Sequence, residues 1–304
     1  MTIQYYKKSI KDSGLNKLDK FEKGCWINVI DPSAEELKFL EETFDLDEQN
    51  LLSGIDKHEI PRSEYEKEGT YIILKTVNPN DKKETNTILI IIGPNYFLTL
   101  SKYQPRFVSS ILNKKIEIIT TQKFKTLLHF LDEINDEFEK AALNIVKNVD
   151  RTKDSVIGLR DKDITELLKQ EDALNNFVSA YTYSNRVYER MLKKIKFYEE
   201  DKEMLDDLII EGKEIHHLCM DSLRTISNIR NHFEILMSNK LNRVLTLLTV
   251  FTILISIPAA ISGIYGMNIN LPMQNNPLAF YYITGIVLVL VGLFLFFLKK
   301  KKVI

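Results

Sequence analysis

The sequence predicts an α+β cytoplasmic region followed by a carboxyl-terminal membrane hairpin. Three observations carry that prediction: strand-like and helix-like segments mix up to about Ser101, a proline-free helical pattern runs from about Thr121 to Pro258, and two apolar runs of membrane length close the chain. The 304 residues carry a formal net charge of −1 and are 27% charged, so no basic excess argues for nucleic acid. Cys25 and Cys219 stand far apart with no CxxC pair, as expected in a reducing compartment. The amino terminus, MTIQYYKKSIKDSGLNK, has no apolar h-region and does not read as a secretory signal.

Residues 1–120 read as a cytoplasmic α/β domain. CWINVI at 25–30 is a strand, and Asp31-Pro32-Ser33 with Glu36 makes a capping box that opens a helix through LKFLEETF. YIILKTV (71–77), TILIIIG (87–93) and YFLTLS (96–101) are β-branched and aromatic runs broken by Pro79, Gly93 and Pro94. They predict a small sheet with helices against it.

Residues 121–240 read as long cytoplasmic helices. Two antiparallel ones, 127–146 and 163–198, are joined around Gly158, and a third runs from about Lys202 into the first apolar span as a continuous stalk. The carboxylates Asp163, Glu166, Glu171, Asp172, Asp206 and Asp207 are by default a solvated helix face. The competing reading is a hard cation, since Mg²⁺ prefers oxygen ligands and often takes only one or two carboxylates. Adjacent His216 and His217 point to different faces and do not form a metal pair.

The first apolar run, 244–264, and the second, 277–298, are each about 20 residues without a charge, enough to cross a bilayer core. They place the spans at 241–264 and 278–298, with an outer loop at 265–277 and a basic tail at 299–304. Lys240 and Arg243 precede the first span and Lys299 to Lys302 follow the second, while the link between them has no Lys or Arg. By the positive-inside rule both termini are cytoplasmic and the protein sits in the cell membrane, with Tyr281 and Tyr282 in the outer aromatic belt.

The first span has a distinct face. Steps of three and four give Asn242, Leu245, Thr249, Thr252, Ser256, Ala259, Gly263 and Gly266, all small or polar except Leu245. Tight helix packing is the plain explanation, with Ser and Thr hydroxyls bonded to the preceding turn. It fits Ala259 and Gly263 well, and Asn242 and Asn268 less well, because polar groups at membrane depth usually face a bundle interior or a water-filled path. One hairpin cannot enclose a pore, so conduction requires several copies around an axis.

The stripe ends at Tyr265-Gly266-Met267-Asn268. Here the chain resembles the CorA family of divalent-cation transporters, whose signature is Gly-Met-Asn at the outer end of the first of two carboxyl-terminal spans. The resemblance extends over most of the chain, through the Trp26 strand and its capped helix, IPRSEYE (60–66), SNKLN before the span and Asn-Leu-Pro after the motif. It implies a funnel-shaped homopentamer with the first span lining the pore. It also implies a selectivity filter of Gly266, Met267 and Asn268, in which neutral carbonyl and amide oxygens take Mg²⁺ with its waters and Met267 packs to buttress the loop. Gly266 is expected to let the backbone turn.

Carried inward, the resemblance puts Asn242 on a polar ring at the cytoplasmic mouth. Leu245 and Leu248 fall on a hydrophobic constriction, and Asp207, with Asp206 beside it, on a regulatory Mg²⁺ site between protomers. Two features depart from the family: the link INLPMQNNP has no acid to attract cations, and Ser256 stands where a bulky apolar residue is common.

The resulting expectation is a passive, potential-driven Mg²⁺ channel, with Co²⁺ and Ni²⁺ as further candidate ions. It uses Mg²⁺ as both cargo and regulator, and no organic cofactor. The alternatives are a related zinc transporter, against which the intact Gly-Met-Asn counts, and a non-conducting membrane-anchored coiled-coil sensor or scaffold. An enzyme is disfavoured, because no nucleophile-base set, phosphate loop or tight metal-ligand spacing stands out.

Overall fold

The computed structural model describes residues 2–113, 115–154, 159–273 and 276–300. The chain divides into two compact units, Met1–Arg230 and Asn231–Ile304. The first holds β1 (Ile3–Lys7), β2 (Asn16–Leu18), β3 (Cys25–Ile30), β4 (Arg62–Tyr65), β5 (Thr70–Val77), β6 (Thr85–Ile92) and β7 (Tyr96–Ser101). They form one seven-stranded sheet in the order β2-β1-β3-β7-β6-β5-β4. Only β3 and β7 pair in parallel, with Trp26 opposite Phe97; the other neighbours are antiparallel.

Successive strand side chains go to opposite faces, and both faces are buried. Trp26, Ile72, Leu74, Ile88, Ile90 and Phe97 join one apolar cluster with α3 (Arg106–Leu112), α4 (Lys123–Asp154), α5 (Asp161–Lys194) and the first part of α6 (Glu199–Tyr265). Cys25, Ile27, Ile73, Leu89, Ile91 and Leu98 meet Leu37 and Leu40 of α1 (Ala34–Phe44) and Leu51 of α2 (Glu48–Ser53). This explains the near-continuous apolar runs of the central strands, since strands covered on both sides need no polar alternation. Trp26 is fully buried; its Nε1–H donates to Thr99 Oγ1 at 2.9 Å, and its ring meets Phe130 edge-on at 5.6 Å.

The capping box is present at α1. The Glu36 N–H donates to Ser33 Oγ at 3.2 Å and the Ser33 N–H donates to Glu36 Oε2 at 3.0 Å, so two otherwise orphaned donors are satisfied.

The sheet is larger than the sequence pattern predicts, gaining the short strands β1, β2 and β4. The helix expected to run to Tyr198 ends at Lys194, and α6 begins at Glu199 rather than about Lys202. Between them the backbone is extended at Ile195 (φ −100°, ψ 135°). Ile195 and Phe197 are buried while Lys196 and Tyr198 are exposed, a period of two that a helix cannot provide. Gly158, the expected joint between the first two helices, lies outside the described residues, as do Lys301 and Lys302.

α6 is a single helix of 67 residues that carries Pro258 within it, so stalk and first span are continuous as predicted. Pro258 has no N–H for the Leu254 carbonyl. α7 (Ala279–Lys300) is the second helix long and apolar enough to cross a membrane. Almost none of either apolar window is buried within the chain, unlike the core helix of a soluble protein. The chain thus presents two membrane-length apolar surfaces to its surroundings.

Candidate functional site

The second unit gives α6 two distinct faces. Exposure is reduced at Thr246, Val250, Ile253, Leu254, Ile257, Pro258 and Ile261, and Val250 is buried. On α7 it is reduced at Ala279, Ile283, Val287, Val291, Phe294 and Leu298, a single face at spacings of three and four, as on the facing sides of a helical hairpin. At 3.6 residues per turn the stripe from Asn242 through Leu245, Thr249, Thr252, Ser256, Ala259 and Gly263 to Gly266 runs along the other side of α6. All eight residues are exposed.

Packing within the chain therefore does not account for the small residues. A Cβ added to Gly263 would meet nothing within 4 Å, although glycine inside a helix costs about 1 kcal/mol relative to alanine. The hydroxyls do bond the preceding turn: Thr249 Oγ1 donates to the Leu245 carbonyl at 2.8 Å, Thr252 Oγ1 to Leu248 at 2.9 Å and Ser256 Oγ to Thr252 at 2.7 Å. Each hydroxyl proton is thereby committed to the backbone, and what faces outward is oxygen lone pairs. That polarity suits the hydrogens of a cation's coordinated water. Leu245 and Leu248 are 49% and 62% exposed near the inner end of the same surface.

Gly266 follows the last residue of α6. Its N–H donates to the Ser262 carbonyl at 2.9 Å, and the Met267 N–H donates to Ile264 at 3.2 Å. The turn needs no left-handed backbone at Gly266; glycine is favoured by close approach, because a Cβ there would sit 3.2 Å from the Ser262 carbonyl oxygen. Met267 is 53% exposed. The Asn268 side chain is exposed and has no hydrogen-bond partner among the described residues. Stripe, Gly266 carbonyl and Asn268 amide thus follow one another along the chain, all uncovered.

Asp206 and Asp207 belong to the first unit. Both are exposed, and neither forms an ion pair among the described residues. One turn on, Glu211 lines a cavity of ≈ 470 Å³ with Asn135, Asp136, Glu139 and Glu214. Burial, and then the neighbouring Asp132, Asp136 and Asp207 carboxylates, raise the Glu211 pKa against a lowering bond from Asn135. Burial and like charge raise Asp132 and Glu133 as well. Among the described residues no three His, Cys, Asp or Glu converge to hold a metal.

Other carboxylates expected to be merely solvated are committed: Glu166 pairs with Lys83, Glu171 with Arg230, and Asp163 accepts from the Arg160 N–H. Sequence reasoning missed the buried junction at Asn135. Its Oδ1 accepts from the Tyr181 hydroxyl at 3.0 Å, and its Nδ2 donates to the Leu208 carbonyl at 3.1 Å and Glu211 Oε2 at 3.4 Å, tying α4, α5 and α6 together. Residues from three distant segments converge there, and no local motif signals it.

Comparison with known proteins agrees with this architecture. The family model described as CorA-like Mg²⁺ transporter protein matches residues 21–300. The cobalt/magnesium transport protein CorA of Methanocaldococcus jannaschii is 26% identical over 287 residues, covering 91% of this chain and 90% of that protein. The complete structure of the CorA magnesium transporter from the same organism matches with a TM-score of 0.84 at 25% identity over 98% of both chains. The cytoplasmic domain of ZntB from Vibrio parahaemolyticus shares the fold alone, with a TM-score of 0.64 at 8% identity over 78% of this chain and 98% of that one.

Proposed function

The chain belongs to the CorA-like family of Mg²⁺ transporters, which makes it a divalent-cation transporter, and we propose that it conducts hydrated Mg²⁺ passively through a homopentameric ring whose α6 stripes face a common axis. The observation that carries this reading is the uncovered stripe on the side of α6 away from its shielded residues, leading into Gly266 and Asn268. In the ring, Gly266 carbonyls and Asn268 amides accept hydrogen bonds from the six waters that Mg²⁺ sheds reluctantly, selecting the ion without dehydrating it. Neutral oxygens bind weakly enough for the ion to leave, as conduction requires. Below the filter, the outward lone pairs of Ser256, Thr252 and Thr249 continue the same contact. Asn242 lines the inner mouth, and Leu245 and Leu248 form a constriction that closes by dewetting.

Lys240, Arg243, Lys299 and Lys300 place both termini in the cytoplasm by the positive-inside rule. The membrane potential then favours entry of each divalent ion by about 4 to 5 kcal/mol per 100 mV. Asp207, with Asp206 beside it, supplies one side of a regulatory Mg²⁺ site that a neighbouring copy completes. Two exposed, unpaired carboxylates support a shared site.

The test is Mg²⁺ uptake into liposomes. Asn268→Ala should abolish uptake with the oligomer intact; uptake equal to wild type would remove Asn268 from the filter. Competition of Zn²⁺ against Mg²⁺ in the same assay separates this reading from zinc transport.

A further inference from the structure

Six of the 41 Lys and Arg residues but only one of the 42 Asp and Glu residues, Glu234, lie within Asn231–Ile304. The six are Lys240 and Arg243, just before the apolar part of α6, and Lys299 to Lys302, at the end of α7. Two crossings of a bilayer return a chain to the side it left, so both groups reach the same membrane face. Lys240, Arg243, Lys299 and Lys300 are exposed, and none of the four has an ion-pair partner among the described residues. Large apolar side chains adjoin these charges: Val244 is 56% exposed, Phe296 and Phe297 64% and 62%.

A ligand that satisfies both features has an anionic head and apolar tails. We propose that the girdle of Lys240, Arg243, Lys299 and Lys300 binds the headgroups of anionic phospholipids in the cytoplasmic leaflet, with their acyl chains against Val244, Phe296 and Phe297. Orientation during insertion accounts for a bias in Lys and Arg, but it does not require the charges to remain exposed and unpaired beside apolar surface in the folded chain. Clusters of four to eight basic residues beside a span attract anionic lipid, each contributing near the surface. An acidic face of a protein partner would satisfy the charges and leave the adjoining apolar side chains unmatched. The proposal rests on α6 and α7 spanning the membrane.

The full-length protein is reconstituted into mixed phosphatidylcholine and phosphatidylglycerol bilayers, extracted in mild detergent, and the lipid remaining with it is quantified. Phosphatidylglycerol should be enriched several-fold over the bulk ratio, and the enrichment should vanish in a variant carrying K240Q, R243Q, K299Q and K300Q. A bulk ratio in wild type, or equal enrichment in the variant, overturns the proposal. Should that variant fail to insert, R243Q with K299Q leaves Lys240 and three tail lysines to orient the hairpin and should lower the enrichment about twofold or more; no change overturns the proposal. Release of the wild-type protein from neutral vesicles by alkaline carbonate would instead sink the membrane reading itself.

Discussion

Replacing Glu137 with glutamine should flatten the pH dependence of the first unit's stability. Glu137 lies on α4 under the start of α3, where its Oε1 accepts from the Phe107 N–H at 2.8 Å while its Oε2 is buried with no hydrogen-bond partner. Burial pushes its pKa up to about 7 and Glu133 adds to the shift, while the Phe107 bond, Arg106 and Lys140 oppose it. A carboxyl whose folded pKa lies above its unfolded value is bound by its proton more tightly in the folded state. Its penalty is absent below the unfolded pKa near 4.5, grows as pH rises to about 7, and is complete above that. The shift corresponds to about 3 kcal/mol. Thermal midpoints of full-length wild type and E137Q in detergent, compared across this pH window, isolate the contribution from every other titrating group. The wild type should lose stability relative to E137Q as pH rises, by about 2 to 4 °C per kcal/mol for a unit of this size. Parallel profiles would mean that the Glu137 carboxyl titrates alike in the folded and unfolded chain.

The packing under the sheet makes Gly54→Ala costly, because the added Cβ would lie 2.8 Å from Leu89 Cβ and 2.6 Å from Leu100 Cδ2. Overpacking of this kind costs about 1 to 3 kcal/mol and should lower the thermal midpoint; an unchanged midpoint would mean that the α2 end moves aside freely. Asp207→Ala should weaken the protection from proteolysis that millimolar Mg²⁺ gives the full-length protein, and equal protection would remove Asp207 from the regulatory site.

How much of this was readable from the sequence depends on how local each feature is. Ser33 and Glu36 form their capping box from residues three apart, and the runs at β3, β5, β6 and β7 declare themselves by composition. Strands β2 and β4 are short edges whose pairing is decided by their neighbours, and the α5–α6 joint turns on which two of four residues find a core, Ile195 and Phe197. At the candidate site, the heptad stripe and the Gly-Met-Asn motif were legible because a helix face is fixed by spacing alone. Exposure of Gly263, Met267 and Asn268 was not legible, because burial depends on what surrounds a helix. The Asn135 junction required three helices to converge before it existed.

In the proposed ring, the Asn242 to Gly266 face of α6 lines a water-filled path for Mg²⁺. The native thiols of Cys25 and Cys219 are buried, so single cysteines can be introduced along α6 with little background. The most direct measurement is Mg²⁺ flux into vesicles before and after treatment with a hydrophilic, cationic thiol reagent. At Thr252→Cys and Ser256→Cys flux should fall on modification. At Leu247→Cys and Phe251→Cys, where the native side chains are 45% and 61% exposed and lie about 100° or more around the helix from Thr252 and Ser256, it should not change. Flux indifferent to modification at 252 and 256, or equally sensitive at 247 and 251, would contradict a pore along this face.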